Sequence, residues 1–351
     1  MAAFALSTLS FLAMLIFLGI LVNPRGKFDV SIFEPVLPNT RREKINLLKA
    51  SPGPIDALML GSSRMLFFDR EEAEKLSGLR FFNLGVFTAQ TEDCYALLTY
   101  AVSRLGVRPR LVLWGIEECN FSDRPFDDGL FDLNTRLYRQ LNPESIHPFF
   151  LLNQVSTIID IGYMQESLKS VAFTLKKNKE KELSFDPFGF GRATVSDRKM
   201  REGTYSLSEA IDRSYRNYLV SYGRQARLSP VRKKYFEQTL RFCKNNGIRL
   251  IIFSTPFQSR MRDALNGDGS LDALHGELLA YMGQMGQKYP FTYCDFSRTE
   301  YFGGSEKDFY DGDHATARNL GRIARIIFGR EGGFTGGAGR EPAIPEGNPG
   351  R

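Results

Sequence analysis

Histidine is almost missing from this chain, with three in 351 residues. A zinc pattern that needs a second histidine close by is therefore poorly served. The four cysteines (Cys94, Cys119, Cys243 and Cys294) are scattered, with no Cys-x-x-Cys pair and no metal-binding spacing. Ordinary burial is their default, and they do not decide a compartment. There is no internal repeat. No recognised nucleic-acid-binding motif accompanies the positive charge, so a nucleic-acid partner is not expected. Charge is also missing from Ala2 to Val22, and no small-x-small cleavage site follows, because the chain reads Leu21-Val-Asn-Pro-Arg25.

That uncharged run of 21 residues is long enough to cross a bilayer as a helix and reads as an uncleaved single-pass anchor over residues 1–24. No Lys or Arg precedes it, whereas Arg25, Lys27, Arg41, Arg42 and Lys44 follow. Charge bias alone would leave the rest of the chain in the cytoplasm. The formal charge of +6 is unevenly placed. Between Lys169 and Lys234 there are 16 Lys/Arg against 7 Asp/Glu, a local net of +9, so the remainder nets −3. This suggests a basic face for an anionic polymer or lipid headgroups, against the plainer reading of a solvated surface.

A linker over residues 25–54 leads through a short helix at Arg41–Ala50 to the break Ser51-Pro-Gly-Pro54. Ile55–Leu60, Arg80–Leu84 and Arg110–Trp114 read as buried strands, separated by helices at Phe68–Leu76 and Thr91–Leu105. Short loops between them imply parallel pairing with right-handed crossovers. The alternation stops between Glu117 and Pro230, where an insertion is expected to cover one end of the sheet. It holds an apolar segment, Phe149–Leu175, the basic run Lys176–Lys181 and the turn-rich Phe185–Gly191. The apolar segment is expected on the core, with the bilayer surface as the alternative. Alternation resumes with a helix at Val231–Asn245 stopped by Gly247, a strand at Arg249–Ser254 and a helix at Leu271–Gln287. A last strand, Phe291–Asp295, and a last helix, Ala315–Phe328, complete an α/β domain over residues 55–328 with helices on both faces of the sheet. Eight Gly and three Pro among the 23 residues from Gly329 predict a disordered tail over residues 329–351.

One stretch organises the chemistry: Asp308-Phe-Tyr-Asp-Gly-Asp-His-Ala-Thr316. Asp311, three residues before His314, can swing back onto one imidazole nitrogen and leave the other to take a proton from a nucleophile. The plainer reading is that Asp311 and Asp313 cap the last helix. A candidate nucleophile lies in Leu60-Gly-Ser-Ser-Arg64, after the first strand. In an open parallel sheet, ligands sit beyond the carboxyl ends of the strands, where each of these residues falls.

With Gly61-Ser62-Ser63, Phe82-Asn-Leu-Gly85 and Asp311-Gly-Asp-His314 in this order, the chain resembles the SGNH (GDSL-like) hydrolase superfamily. The branch it resembles is the membrane-anchored, cell-envelope group that includes alginate O-acetylation proteins and the D-alanyl transfer protein of teichoic acid modification. The resemblance covers residues 55–116 and 235–328. It implies a flavodoxin-like three-layer fold, Ser63 as nucleophile, His314 and Asp311 as its partners, and the Gly85 N–H as an oxyanion donor. It implies no cofactor and no metal. It also implies a domain on the periplasmic or extracellular side, against the charge bias, since large domains translocate regardless of charge. Implied partners are an envelope polysaccharide or acyl donor and a membrane acyltransferase.

The third family block is Gly-x-Asn-Asp, and this chain has Gly115-Ile-Glu-Glu118. Glu117 stands at the Asn position, where a carboxylate would repel a tetrahedral oxyanion, and Asn120 is the nearest amide that can replace it. Two function classes stay open: an O-acyl esterase or acyltransferase, and a non-catalytic envelope assembly or glycan-binding protein with a degenerate site. A weaker third is a divalent-metal site at Asp311, Asp313 and His314, with Asp295.

Overall fold

A computed structural model describes residues 1–123, 158–176, 182–222, 225 and 227–329, apart from 27, 29, 31, 37 and 38. Elements are numbered among these residues. Helices α1 (Ala2–Val22) and α2 (Thr40–Lys49) precede β1 (Ala57–Leu60), α3 (Arg70–Ser77), β2 (Phe81–Asn83), α4 (Thr91–Ser103) and β3 (Leu111–Ile116). Next come α5 (Ile161–Leu175), the hairpin of β4 (Ser184–Phe185) and β5 (Gly191–Arg192), α6 (Thr194–Arg201) and α7 (Leu207–Tyr222). The alternation returns with α8 (Pro230–Asn245), β6 (Arg249–Ser254), α9 (Ser259–Leu265), α10 (Ser270–Gly286), β7 (Thr292–Asp295) and α11 (Ala317–Gly329).

Five strands form one parallel sheet in the order β2-β1-β3-β6-β7. The chain winds outward from β1 in both directions, so a crevice opens beyond the carboxyl ends of β1 and β3. Side chains alternate across the sheet. Leu58, Leu60, Val112, Trp114, Leu250 and Ile252 pack with the apolar faces of α4, α8 and α10. Ala57, Met59, Leu111, Leu113, Ile251 and Phe253 point the other way, onto α3 and α11. Both faces are covered, which is why the strands read as continuous apolar runs.

Local chemistry sets the element ends. Asp69 caps α3 by accepting from the Glu72 N–H, and α3 stops at Gly78, whose φ is 70°. Pro230 opens α8, where its missing N–H leaves nothing unsatisfied. The Gly247 stop expected after α8 has φ 64°. The first strand begins at Ala57 instead of Ile55, and the third runs on to Ile116, because β6 pairs with it as far as Ser254. The last helix starts at Ala317, not Ala315, which is held in a bridge to Phe309. Helix α9 was not expected.

The Phe149–Leu175 segment departs from its expected place on the core. Its described part, α5, packs on α1 and on the chain near Glu34. The remainder of that segment, residues 177–181 of the basic run, and residues 330–351 of the tail lie outside the described residues. The expected anchor is a continuous, uncharged helix over Ala2–Val22. As a membrane span it is not found: among the described residues no helix is long and apolar enough to cross a membrane. Side chains at positions 2, 3 and 5 are outside the description.

Gly61, at the end of β1, has φ 137°, and a Cβ there would lie 2.5 Å from the Gly115 carbonyl oxygen and 2.6 Å from Met65 Cγ. Both the backbone conformation and the close approach of β3 therefore demand glycine. Gly61→Ala is expected to lower stability by more than about 1 kcal/mol, read as a fall in the urea midpoint at unchanged slope.

Candidate active site

The turn after β1 is tight. Ser62 is buried and its hydroxyl accepts from the Arg64 N–H at 3.2 Å, capping the short 3-10 turn Ser63–Met65. Adjacent side chains diverge at such a turn. Ser62 points into the fold, while Ser63 is left half-buried on the carboxyl edge of the sheet.

The loop after β7 closes on itself. Phe309 bridges Ala315, and the Tyr310 N–H donates to the His314 carbonyl at 2.8 Å. Fully buried Asn319, on α11, holds the base of this loop by donating to the carbonyls of Ser305 and Asp308. At the tip, one Asp311 carboxylate oxygen accepts from the N–H groups of Asp313 (3.0 Å) and His314 (2.8 Å). The same carboxylate reaches His314 Nδ1, at 3.0 Å and 2.9 Å for its two oxygens. His314 Nε2 lies 2.8 Å from Ser63 Oγ, across 251 residues of sequence.

Asp313 does not turn away or cap α11. Its carboxylate lies 3.4 Å from His314 Nδ1, accepts from Ser214 Oγ at 2.5 Å, and stands 3.7 Å from the Arg64 guanidinium. Burial pulls the His314 imidazole down, but the Asp311 and Asp313 carboxylates outweigh it and hold its pKa well above the usual histidine value. Burial pushes Asp313 up, and His314 and Arg64 overcome that and hold its carboxyl well below the usual range.

Arg64 is buried and stacks 3.9 Å from the Phe257 ring centroid. Burial opposes its charge, but Glu117 and Asp313 more than compensate and raise its pKa. Thr255 links it to Glu117: Arg64 donates to Thr255 Oγ1 at 3.3 Å, and that hydroxyl donates to Glu117 Oε2 at 2.9 Å. Glu117 is thus a buried counter-charge. Asn120 does not reach toward Ser63. Its amide donates to the Ala89 carbonyl (2.7 Å) and to Glu117 Oε1 (3.1 Å), and its oxygen accepts from the Glu117 N–H. The Gly85 N–H is likewise engaged, by Asn83 Oδ1 at 2.8 Å.

Asp295 stands apart from this group. It takes His275 Nε2 at 3.1 Å, while Glu118 takes Nδ1 at 2.5 Å. Asp311, Asp313 and His314 present ligand atoms within 4.8 Å of one another. The Asp311 carboxylate is already bonded to His314 Nδ1, and Asp313 accepts from Ser214 beside the Arg64 cation. A cavity of about 230 Å³ lies between α7, α9 and α10, and its lining includes none of Ser63, Asp311 and His314.

Sequence reasoning missed Arg64, Ser214, Thr255 and Asn83. Arg64 was adjacent to the serine pair and carried a signal, as a cation next to a candidate nucleophile. Ser214 and Thr255 carried none, because hydroxyl partners 99 and 138 residues away in the chain leave no local pattern.

The fold and site define an α/β protein with a Ser63–His314–Asp311 line of hydrogen bonds at the carboxyl edge of its parallel sheet. No family model matches the chain, and no curated protein matches its sequence. Among solved structures it is similar to a crystal structure of a protein from Bacteroides fragilis described as a "putative acylhydrolase". The two are 14% identical, the match covers 83% of this chain and 92% of that one, and the TM-score is 0.31. At those values the likeness carries no argument about this chain's chemistry.

The second histidine cluster is testable by linkage. Burial lowers the pKa of His275, but its bonds to Asp295 and Glu118 push it to about 10 from 6.5. A raised imidazole contributes all of its stabilisation below pH 6.5 and loses it as pH climbs toward 10. In urea titrations the stability gap between wild type and His275→Gln is expected to be widest at pH 6.5 and to narrow toward pH 10.

Proposed function

We propose that this chain is a serine-dependent O-acyl esterase or acyltransferase. Ser63 is the nucleophile, His314 carries the proton, and Asp311 orients the imidazole. The observation that carries this reading is the unbroken line from Asp311 through His314 to Ser63 Oγ, 2.8 Å from Nε2. Neutral His314 accepts the Ser63 proton at Nε2 as Oγ attacks the ester carbonyl. The imidazolium that forms is stabilised by Asp311 at Nδ1 and returns the proton to the departing alcohol oxygen, leaving acyl-Ser63. Water or an acceptor hydroxyl then gives its proton to Nε2 as its oxygen bonds the acyl carbon, and the acyl–Oγ bond breaks as Nε2 returns that proton to Ser63 Oγ, which restores Ser63 and neutral His314. These steps require no cofactor.

The reading extends to a place and a substrate. Helix α1 is the single-pass anchor, the folded part faces the periplasm or the cell exterior, and the acyl group moves to or from an envelope polysaccharide. A membrane acyltransferase is the partner that delivers it. The uncharged α1, with Phe4, Leu6, Leu9 and Phe17 exposed, supports the anchor. The excess of basic residues between 169 and 234 supports an acidic polymer.

Specific observations favour a second reading, a non-catalytic glycan-binding or assembly protein. Gly85 N–H and the Asn120 amide are both engaged elsewhere, and Glu117 replaces the family's Asn. Each missing oxyanion donor lowers the rate by roughly 100- to 1000-fold.

An organophosphonate ester distinguishes the two. A mass adduct on Ser63 is expected, whereas an unlabelled protein leaves the binding reading standing. Ser63→Ala and His314→Ala are each expected to abolish turnover of an acyl ester without unfolding the chain. Ser62→Ala removes only a cap, worth about 0.5–2 kcal/mol of stability, and is expected to retain activity. Survival of turnover in Ser63→Ala would end the assignment.

The pH profile tests the two carboxylates on the imidazole. Only neutral His314 can accept the proton, and Asp311 and Asp313 together favour the charged form. Turnover is therefore expected to rise with pH through an apparent pKa above the ordinary histidine value of 6.5. Asp313→Asn removes one of the two charges, so the rising limb is expected to move to lower pH. An unmoved limb would remove Asp313 from this role.

A further inference from the structure

Helix α5 carries an apolar stripe that nothing covers among the described residues. Ile161, Leu168 and Leu175 are 72%, 73% and 75% exposed, and Met164 and Ala172 are exposed between them. At about 100° per residue these five side chains share a strip only ~80° wide. Lys169 and Lys176 lie exposed along one edge of the strip. The opposite face of α5 is occupied: Ser170 donates to the Glu34 carbonyl, Thr174 accepts from the Glu34 N–H, and Glu166 pairs with Arg25 at 2.6 Å. The one acid within α5 is thereby paired, and the charges of α5 exposed along the strip are Lys169 and Lys176, with the N-cap Asp160 exposed just before Ile161.

The place where α5 meets α1 sets its depth. Tyr163, fully buried, donates its hydroxyl to the Gly19 carbonyl at 3.1 Å, and Arg25 lies over the Tyr163 ring. Ile158 packs so closely on Gly19 that any Cβ there would collide with it. Gly19 is three residues from the end of α1 at Val22, roughly 4.5 Å along the helix axis. If α1 enters a bilayer, the first turn of α5 is held at the boundary between acyl chains and headgroups.

We infer that α5 lies in the membrane interface beside α1, with Ile161, Met164, Leu168 and Leu175 in the lipid and Lys169 and Lys176 on anionic headgroups. This rests on the proposal that α1 is an anchor. The combination of a narrow apolar strip, a basic flank and continuity with an uncharged helix fits an interfacial helix. A soluble protein partner would leave the position of α5 at the root of α1 without a role. The consequence for the proposed reaction is orientation: two contacts, not one flexible tether, fix how the sheet edge stands above the bilayer.

The test uses the full chain with Cys294→Ser, since the other three native thiols are buried. Met14→Cys, Leu168→Cys and Asn217→Cys variants each carry an environment-sensitive fluorophore. They are reconstituted into vesicles of dioleoyl phosphatidylcholine, with or without dioleoyl phosphatidylglycerol. The expected result is blue-shifted emission at both Met14 and Leu168, with the exposed α7 position Asn217 unchanged. Leu168 is quenched by lipids spin-labelled near the headgroup, and Met14 by lipids labelled at the chain end. Phosphatidylglycerol strengthens the Leu168 shift, and Lys169→Glu with Lys176→Glu removes that increase. A lipid-buried Met14 with a water-exposed Leu168 overturns this inference and leaves the anchor standing. Water-like emission at both positions overturns the anchor and this inference together.

Discussion

A guanidinium sealed under the Ser63 turn is the charge that the site is arranged around. Arg64 is 3% exposed, and a buried cation persists only where carboxylates and hydrogen-bond acceptors surround it. Asp313 approaches from the loop after β7, Glu117 from the end of β3 by way of Thr255, and Phe257 from below. Those contacts draw three separate loops toward one point. The same Asp313 that answers Arg64 also lies against His314, so the charge balance of the core and the basicity of the imidazole are set together.

This pairing accounts for Glu117. At the end of β3 an amide would satisfy hydrogen bonds but leave Arg64 short of negative charge. A glutamate meets both demands, held by Thr255 and Asn120. Glu117 therefore belongs to an electrostatic system that includes Arg64. Beneath the neighbouring residue Glu118, a second ion cluster with His275 and Asp295 ties the β3 loop to α10 and the end of β7. The carboxyl edge of the sheet is thus braced by two charged clusters on either side of the β3 loop.

A parallel sheet gathers its strand ends on one edge, which is why residues 63, 117 and 314 can be neighbours at all. The insertion between β3 and α8 then reaches the same edge. Ser214 of α7 contacts Asp313, and the hydroxyl of Tyr205 donates to the Tyr310 carbonyl. Fully buried Lys44 of α2 donates to the carbonyls of Asn83 and Gly189, fastening the loop of the β4–β5 hairpin over β2. Segments that carried no strand pattern in the sequence are joined to the site by these polar contacts and by Phe190 and Leu207 packing on the core.

Much of the frame was legible because it depends on local rules. Apolar runs of strand length separated by amphipathic helices, with Gly247 as a stop, dictate a parallel α/β sheet from nearby residues alone. The closeness of Asp311 and His314 in sequence likewise determined that a carboxylate would meet the imidazole. Which serine faces His314 was decided by the 3-10 turn that buries Ser62 as a cap. That Asp313 joins the imidazole, that Asn120 and Gly85 donate elsewhere, and that α5 packs at the root of α1 were decided by tertiary contacts. Hydrogen bonds and ion pairs between distant segments depend on where the backbone brings them, and a buried Arg64 selects partners by charge and position, without leaving any periodic trace in the chain.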